Sequence, residues 1–132
     1  MTTELTLLGW TLVVALGQIF AAAMVRTGET GLDYNAGARD RPAPPEGVLA
    51  GRLRRAQANL FETLPLFAAA VLIAHVAGRN GTETFWGVWL YFLARIAYVP
   101  LYGVGVPYLR SIVWLVGIIG LALILFAILR PV

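Results

Sequence analysis

Three groups of side chains in this sequence have types and spacings suited to chemistry. The first is Arg52, Arg55, Asn59 and Glu62. At 100° per residue of helix, Arg55, Asn59 and Glu62 fall within about 60° of one another, with Arg52 on the same side. They form a polar stripe about 10 Å tall from Arg55 to Glu62. The second is Tyr91, Arg95, Tyr98 and Tyr102, again within about 60° on one helical face. The third is Arg110, Ser111 and Trp114, which the pattern places at the opening of a helix. There an arginine, a hydroxyl, free backbone N–H groups and the helix dipole favour an anion or a thiolate. Together these groups describe a pocket with several cations, one acid, one amide and three or four phenols. It suits a small anionic ligand with one or two carboxylates and an amine.

These residues are set among long apolar runs. Of the 132 residues, 59% are hydrophobic and only 13% charged, against roughly 25% charged in an average soluble domain. A soluble domain of this length keeps too much surface exposed to hide so much apolar area. The mean hydropathy of +0.77 agrees. The class is therefore all-α and integral to a membrane: about 20 apolar residues are needed per crossing, and four segments meet or nearly meet that length. They are about 5–25, 56–78, 84–103 and 110–129, joined by a polar loop of about 26–55, in one domain spanning 1–132. The ten-residue alternation of a barrel is absent. The first run reads as a spanning helix and not a cleaved signal, because its apolar core is long and an acid, Glu4, precedes it.

Seven arginines (Arg26, Arg39, Arg41, Arg52, Arg54, Arg55 and Arg110) fall on the side of the long loop; Arg79 and Arg130 fall on the other. The positive-inside rule then puts the loop in the cytoplasm and both termini outside. The pI near 9.8 follows from this arrangement. It does not indicate nucleic-acid binding, since the arginines are not interleaved with aromatics on a soluble face. With no cysteine and a lone histidine, His75, there is no thiol chemistry or metal site to expect. Nothing resembles a channel filter, and four helices are few for a transporter of inverted repeats.

Ionisable groups inside a membrane are costly unless paired. Arg95 lies mid-helix, and Glu62 is its most available counter-charge, so the two stripes are expected to face each other with Glu62 opposite Arg95. An aromatic belt would occupy one depth, whereas the tyrosine row spans three turns. Pro100 is expected to kink that helix and free a carbonyl near Ile96. A single protomer of this size can hardly enclose such a pocket, so an oligomer with shared sites is expected. Small residues such as Gly17 and Ala21 on the first helix would permit close packing.

The run Arg55-Ala-Gln-Ala-Asn59-Leu-Phe-Glu62-Thr-Leu-Pro65-Leu-Phe67 resembles the signature of the MAPEG family, membrane-associated proteins in eicosanoid and glutathione metabolism. The run Arg95-Ile-Ala-Tyr98-Val-Pro-Leu-Tyr102, followed by Arg110-Ser111, is similar to that family as well, and the likeness covers all four segments in order. The loop sequence Tyr34-Asn35-Ala36-Gly37-Ala38-Arg39-Asp40 resembles bacterial members, which implies a bacterial inner membrane. The resemblance implies a homotrimer of four-helix subunits with glutathione bound as cosubstrate between neighbours, on the cytoplasmic side, without a metal. It assigns Arg55, Asn59 and Glu62 to the peptide's charged ends, and Tyr98 and Tyr102 to the wall, with Arg95 behind them. Arg110 and Ser111 fall near the sulfur, and Arg26 reaches into the neighbour's site. A glutathione thiolate stabilised by Arg110 would attack a lipophilic electrophile arriving from the membrane, as a transferase or peroxidase does. The other readings are a non-catalytic membrane protein of this fold that binds a lipid or small anion, and a scaffold subunit. The chain carries Trp114 where several eukaryotic enzymes of the family have tyrosine, and Tyr98 where some have a basic residue or histidine.

Overall fold

A computed structural model describes residues 1–132 as an all-α chain. Four long helices, α1 (Thr3–Thr30), α3 (Val48–Val76), α4 (Thr82–Gly103) and α5 (Pro107–Leu129), are long and apolar enough to cross a membrane. A short helix, α2 (Leu32–Ala36), lies in the long loop. Each long helix starts before the apolar segment that the sequence marks, while α3 ends two residues sooner, at Val76. α3 starts at Val48, two turns before Ala56, because a helix needs no apolar face once it leaves hydrocarbon, and its first turns carry Arg52, Arg54 and Arg55. α5 likewise begins at Pro107, whose missing N–H suits a first helical position.

Only 28 of the 132 residues are buried, so most large apolar side chains face outward, as a membrane solvent permits. The core is a seam of Leu7, Leu8 and Ala15 from α1, Leu60, Leu64 and Phe67 from α3, Val88 and Tyr91 from α4, and Leu121 and Ile124 from α5. Phe67 and Tyr91 stack with ring centroids 3.9 Å apart. The Tyr91 hydroxyl meets Thr63 Oγ1 at 2.8 Å.

α4 and α5 form the most intimate pair, whereas the backbones of α1 and α5 stay more than 8 Å apart, Cα to Cα. The reason is local. Gly87 and Gly120 face each other so closely that a Cβ on either would come within 2.6 Å of the other's carbonyl oxygen. Without a hydrophobic drive between helices in lipid, such small residues permit the close van der Waals packing that replaces it. The turn between these helices is only residues 104–106, and Gly105 takes φ 77° there.

The ends are pinned by polar groups. On the side of the termini, the buried Glu4 accepts from the Thr84 hydroxyl at 2.8 Å, and Thr84 in turn accepts from the Gly81 N–H. Arg130 pairs with Glu83 at 2.5 Å. On the side of the long loop, Arg26 donates to Glu29 at 2.8 Å and to the Pro44 carbonyl at 2.6 Å. The second Glu29 oxygen accepts from the Gly47 N–H at 3.0 Å, just ahead of α3, where negative charge favours a helix start. Arg54 binds both oxygens of Glu46, and its hydrogen bonds hold the Glu46 carboxyl below the usual carboxylate range.

Gly87→Ala or Gly120→Ala should therefore destabilise the protein by about 1–3 kcal/mol, the usual cost of overpacking, read as a lower thermal midpoint in detergent. Gly9→Ala, at a position with open space around it, should leave the midpoint unchanged or raise it.

Candidate functional site

The two polar stripes do meet. Arg95, on the buried face of α4, is 2% exposed. Its Nη1 donates to Asn59 Oδ1 at 2.7 Å, its Nη2 makes a longer contact of 3.4 Å to the Ala56 carbonyl, and its Nε has no partner. The guanidinium also lies 4.3 Å from the centre of the Tyr98 ring, a cation–π distance. Tyr98 and Tyr102 follow each other along α4 with centroids 5.6 Å apart. Tyr102 sits between two further arginines. Arg55 Nε donates to its hydroxyl at 2.9 Å, and the Arg110 guanidinium lies 4.5 Å from its ring centre.

The expected ion pair between Glu62 and Arg95 does not form. Arg95 is satisfied by an amide and a backbone carbonyl instead, and Glu62 is in no salt bridge. The reason is the rotation of α3. That helix packs on α4 through Ala56, Leu60 and Phe67, and on the helical wheel Glu62 lies roughly opposite Leu60 and Phe67. Asn59 stands at the edge of the buried face and reaches Arg95; Glu62 lies beyond that edge and is exposed on the protomer's flank.

A cleft of about 430 Å³ opens between α3, α4 and α5, lined by Asn59, Tyr98, Arg110, Ser111, Trp114 and Leu115. Beside it, nearer the long loop, a smaller pocket of about 180 Å³ is lined by Arg52, Arg55, Tyr102, Gly105, Pro107 and Arg110. Arg110 belongs to both, so the two form one polar region with three guanidinium groups and no carboxylate among the lining residues. Arg52 also donates to the Gly103 carbonyl at 3.1 Å, which ties the start of α3 to the end of α4.

Of the residues singled out from the sequence, Asn59, Tyr98, Arg110 and Ser111 share the cleft; Arg55 and Tyr102 flank it; Arg95 stands behind it as a support. Glu62 faces away on the flank, and Arg26 is held at the loop by Glu29 and Pro44. Because α5 starts at Pro107, Arg110 and Ser111 lie a turn inside the helix and not at its opening, and the Ser111 hydroxyl donates back to the Pro107 carbonyl at 3.2 Å. Leu115 lines the cleft with no signal in the sequence, whereas Arg52 and Trp114, named there within their groups without an assigned contact, take places in this region. Arg52 is one turn before Arg55 and Trp114 one turn after Arg110, so helical spacing carried the signal for both.

A family model for the MAPEG family matches residues 6–130, which includes every residue of the cleft. The chain belongs to the MAPEG family. Comparison with curated proteins and with solved structures gives no significant match. This MAPEG protein is thus a membrane-embedded four-helix chain whose polar residues gather at the end bearing the long loop.

Asn59→Leu should leave the Arg95 guanidinium short of its best partner and destabilise the protein by about 1.5–3 kcal/mol, the worth of a hydrogen bond to a charged group. Adding Arg95→Met should recover part of that loss, because an apolar pair replaces an orphaned charge. Thermal unfolding of the two single variants and the double variant in detergent checks both signs.

Proposed function

We propose that this protein is a glutathione-dependent membrane transferase or peroxidase, acting as a homotrimer in a bacterial inner membrane, with its sites between subunits on the cytoplasmic side. The observation that carries the reading is the cleft in which Arg110, Asn59 and Tyr98 stand together beside Arg55 and Tyr102. Glutathione offers two carboxylates, one ammonium and one thiol. Arg55, on the rim, suits a carboxylate. Asn59 gives its carbonyl oxygen to Arg95, which leaves its NH₂ free to donate to the ligand. Tyr102 accepts from Arg55, so its own proton is available to a bound oxygen. Glu62 suits the ammonium. An exposed carboxylate within a spanning helix is costly against lipid, and this supports a neighbouring subunit at that flank, closing the site. Arg26 serves a neighbour's site by exchanging its Pro44 contact for a ligand carboxylate.

The reaction needs little machinery. A thiol ordinarily ionises near pH 8.5, and an adjacent arginine lowers that value. Arg110, held over the Tyr102 ring, places N–H donors at the sulfur and stabilises the thiolate by about 1.5–3 kcal/mol. Ser111 adds a second hydroxyl contact once it turns from the Pro107 carbonyl. The proton leaves to water at the loop side. In transfer, the sulfur forms a bond to an electrophilic carbon of a lipophilic substrate entering from the membrane, and the leaving group departs with its electron pair. With a lipid hydroperoxide, the sulfur attacks the outer oxygen, the O–O bond breaks, and the alkoxide takes a proton to become an alcohol. A second glutathione thiol then reduces the resulting sulfenic acid to a disulfide and water.

Glutathione at millimolar concentration should raise the thermal midpoint of the purified protein, since it binds the native state. Arg55→Ala should abolish that shift. Arg110→Ala should keep part of it while losing the thiolate absorbance and about 10- to 100-fold in kcat/KM with a chlorodinitrobenzene. Binding without thiolate formation or conjugation in the wild type would instead mark a non-catalytic binder, and no shift at all would remove glutathione from the account.

A further inference from the structure

The turn between α4 and α5 is completed by a side chain from another helix. Arg52, half-buried in the second turn of α3, donates from Nη1 to the Gly103 carbonyl at 3.1 Å. Gly103 is the last residue of α4, and the last four carbonyls of a helix lack intrahelical donors. The turn's own amides serve three of the four. Val104 N–H donates to the Pro100 carbonyl at 3.0 Å, Gly105 N–H to Tyr102 at 3.0 Å and Val106 N–H to Leu101 at 3.1 Å. The Gly103 carbonyl would look to residue 107, but Pro107 has no N–H to give. Arg52 supplies the donor that the backbone cannot.

The same guanidinium lies against the turn. A Cβ on Gly105 would come 2.7 Å from Nη2, 2.9 Å from Cζ and 3.2 Å from Nη1. Three such similar distances place the flat face of the group over Gly105, a contact that a lysine cannot make. Gly105 also takes φ 77°, so both its backbone and the space beside it call for glycine.

These contacts bear on Arg110. Of the three guanidinium groups in the smaller pocket, Arg52 is anchored by the Gly103 carbonyl and Arg55 by the Tyr102 hydroxyl. Arg110 has the Tyr102 ring, 4.5 Å away, and no ion pair. Tyr102 is on α4 and Arg110 on the first turn of α5, so where Arg110 stands depends on how α5 leaves α4.

We propose that Arg52 is a positioning residue for Arg110: by capping Gly103 and lying against Gly105 it fixes the turn from which α5 starts, and so sets where the Arg110 guanidinium stands in the cleft. The inference rests on the reading of Arg110 as the partner of a thiolate. Arg52 is outside the lining of the cleft and acts on the sulfur only through the turn and Arg110.

The sequence contains no cysteine, so Ser111→Cys puts a single thiol in the cleft lining beside Arg110. Its ionisation is read from the pH dependence of alkylation by iodoacetamide in the full chain in nanodiscs. Glutathione takes no part in this measurement, so the result stands whether or not glutathione is the cosubstrate. The thiol should ionise below the ordinary value near pH 8.5, and adding Arg110→Ala should remove the effect. Adding Arg52→Leu should lower the alkylation rate at neutral pH about three- to tenfold; Arg52→Gln is the second variant if leucine disturbs the fold. Gly105→Ala, which changes no charge but takes the space of the guanidinium, should lower it in the same direction. If that variant does not fold, the Arg52→Leu loss is measured again in about 1 M salt, where an effect of charge alone is screened and one of placement persists. A thiol that responds to Arg110→Ala but not to either Arg52 substitution would overturn the proposal and leave the role of Arg110 standing. A folded Gly105→Ala with an unchanged thiol, or an Arg52→Leu loss that vanishes in salt, would also overturn it, because Arg52 would then act by its charge.

Discussion

A guanidinium buried in a membrane protein must find acceptors inside the protein, and Arg95 organises this molecule by doing so. Its hydrogen bond to Asn59 and its contact with the Ala56 carbonyl pin α3 to α4 at the rotation that the packing of Leu60 and Phe67 sets. The Tyr98 ring beneath it fixes one wall of the cleft. Neutral partners suffice because they are dipoles aimed at a desolvated charge, where each is worth more than in water. The side chains that look outward from this contact, Asn59 and Tyr98, form the α3 and α4 side of the cleft. The support and the lining are therefore one unit, with Arg95 holding the back of the surface that a ligand would touch.

The rest of the bundle follows from how each helix answers the absence of water. α4 and α5 approach through paired glycines and carry the two sides of the cleft, Tyr98 on one and Arg110 on the other. The three residues 104–106 join them, so the separation of Tyr102 from Arg110 is set over a very short path. α1 stands apart from α5 and is fixed by polar clasps at its two ends, Glu4 to Thr84 and Glu29 to Gly47. The protomer thus has one tightly built pair that bears the cleft, and a first helix packed on α3 and α4 through Leu7, Leu8 and Ala15 and clasped at both ends.

Much of this was legible in the sequence. Four apolar runs, two uncharged and two with a single charge (Glu62 and Arg95), separated by arginine-bearing loops, are enough to give the four crossings, because bilayer thickness leaves few alternatives. The stripes of Arg55 to Glu62 and of Tyr91 to Tyr102 could be read from a period of 3.6 residues. Helix ends were harder. Arg52, Arg54 and Arg55 look like loop residues by polarity, yet they occupy the first turns of α3, since polarity reports the membrane surface and not the end of the helix. The pairing of Glu62 with Arg95 was misread for a related reason. Charge says which groups want partners, but the rotation of a helix is decided by its apolar face, here Leu60 and Phe67, and that rotation gave Arg95 to Asn59.

The segment 37–47 takes no part in the cleft or the smaller pocket beside it, and its far end is clasped by Arg26 at Pro44 and by Glu29 at Gly47. It leaves and re-enters the bundle at fixed points without shaping what lies between them. A fluorophore, an affinity handle or a small inserted domain spliced near Arg39 and Asp40 would ride outside the bilayer while the interior kept its arrangement, giving this protein a natural point of attachment for tracking it in a living membrane.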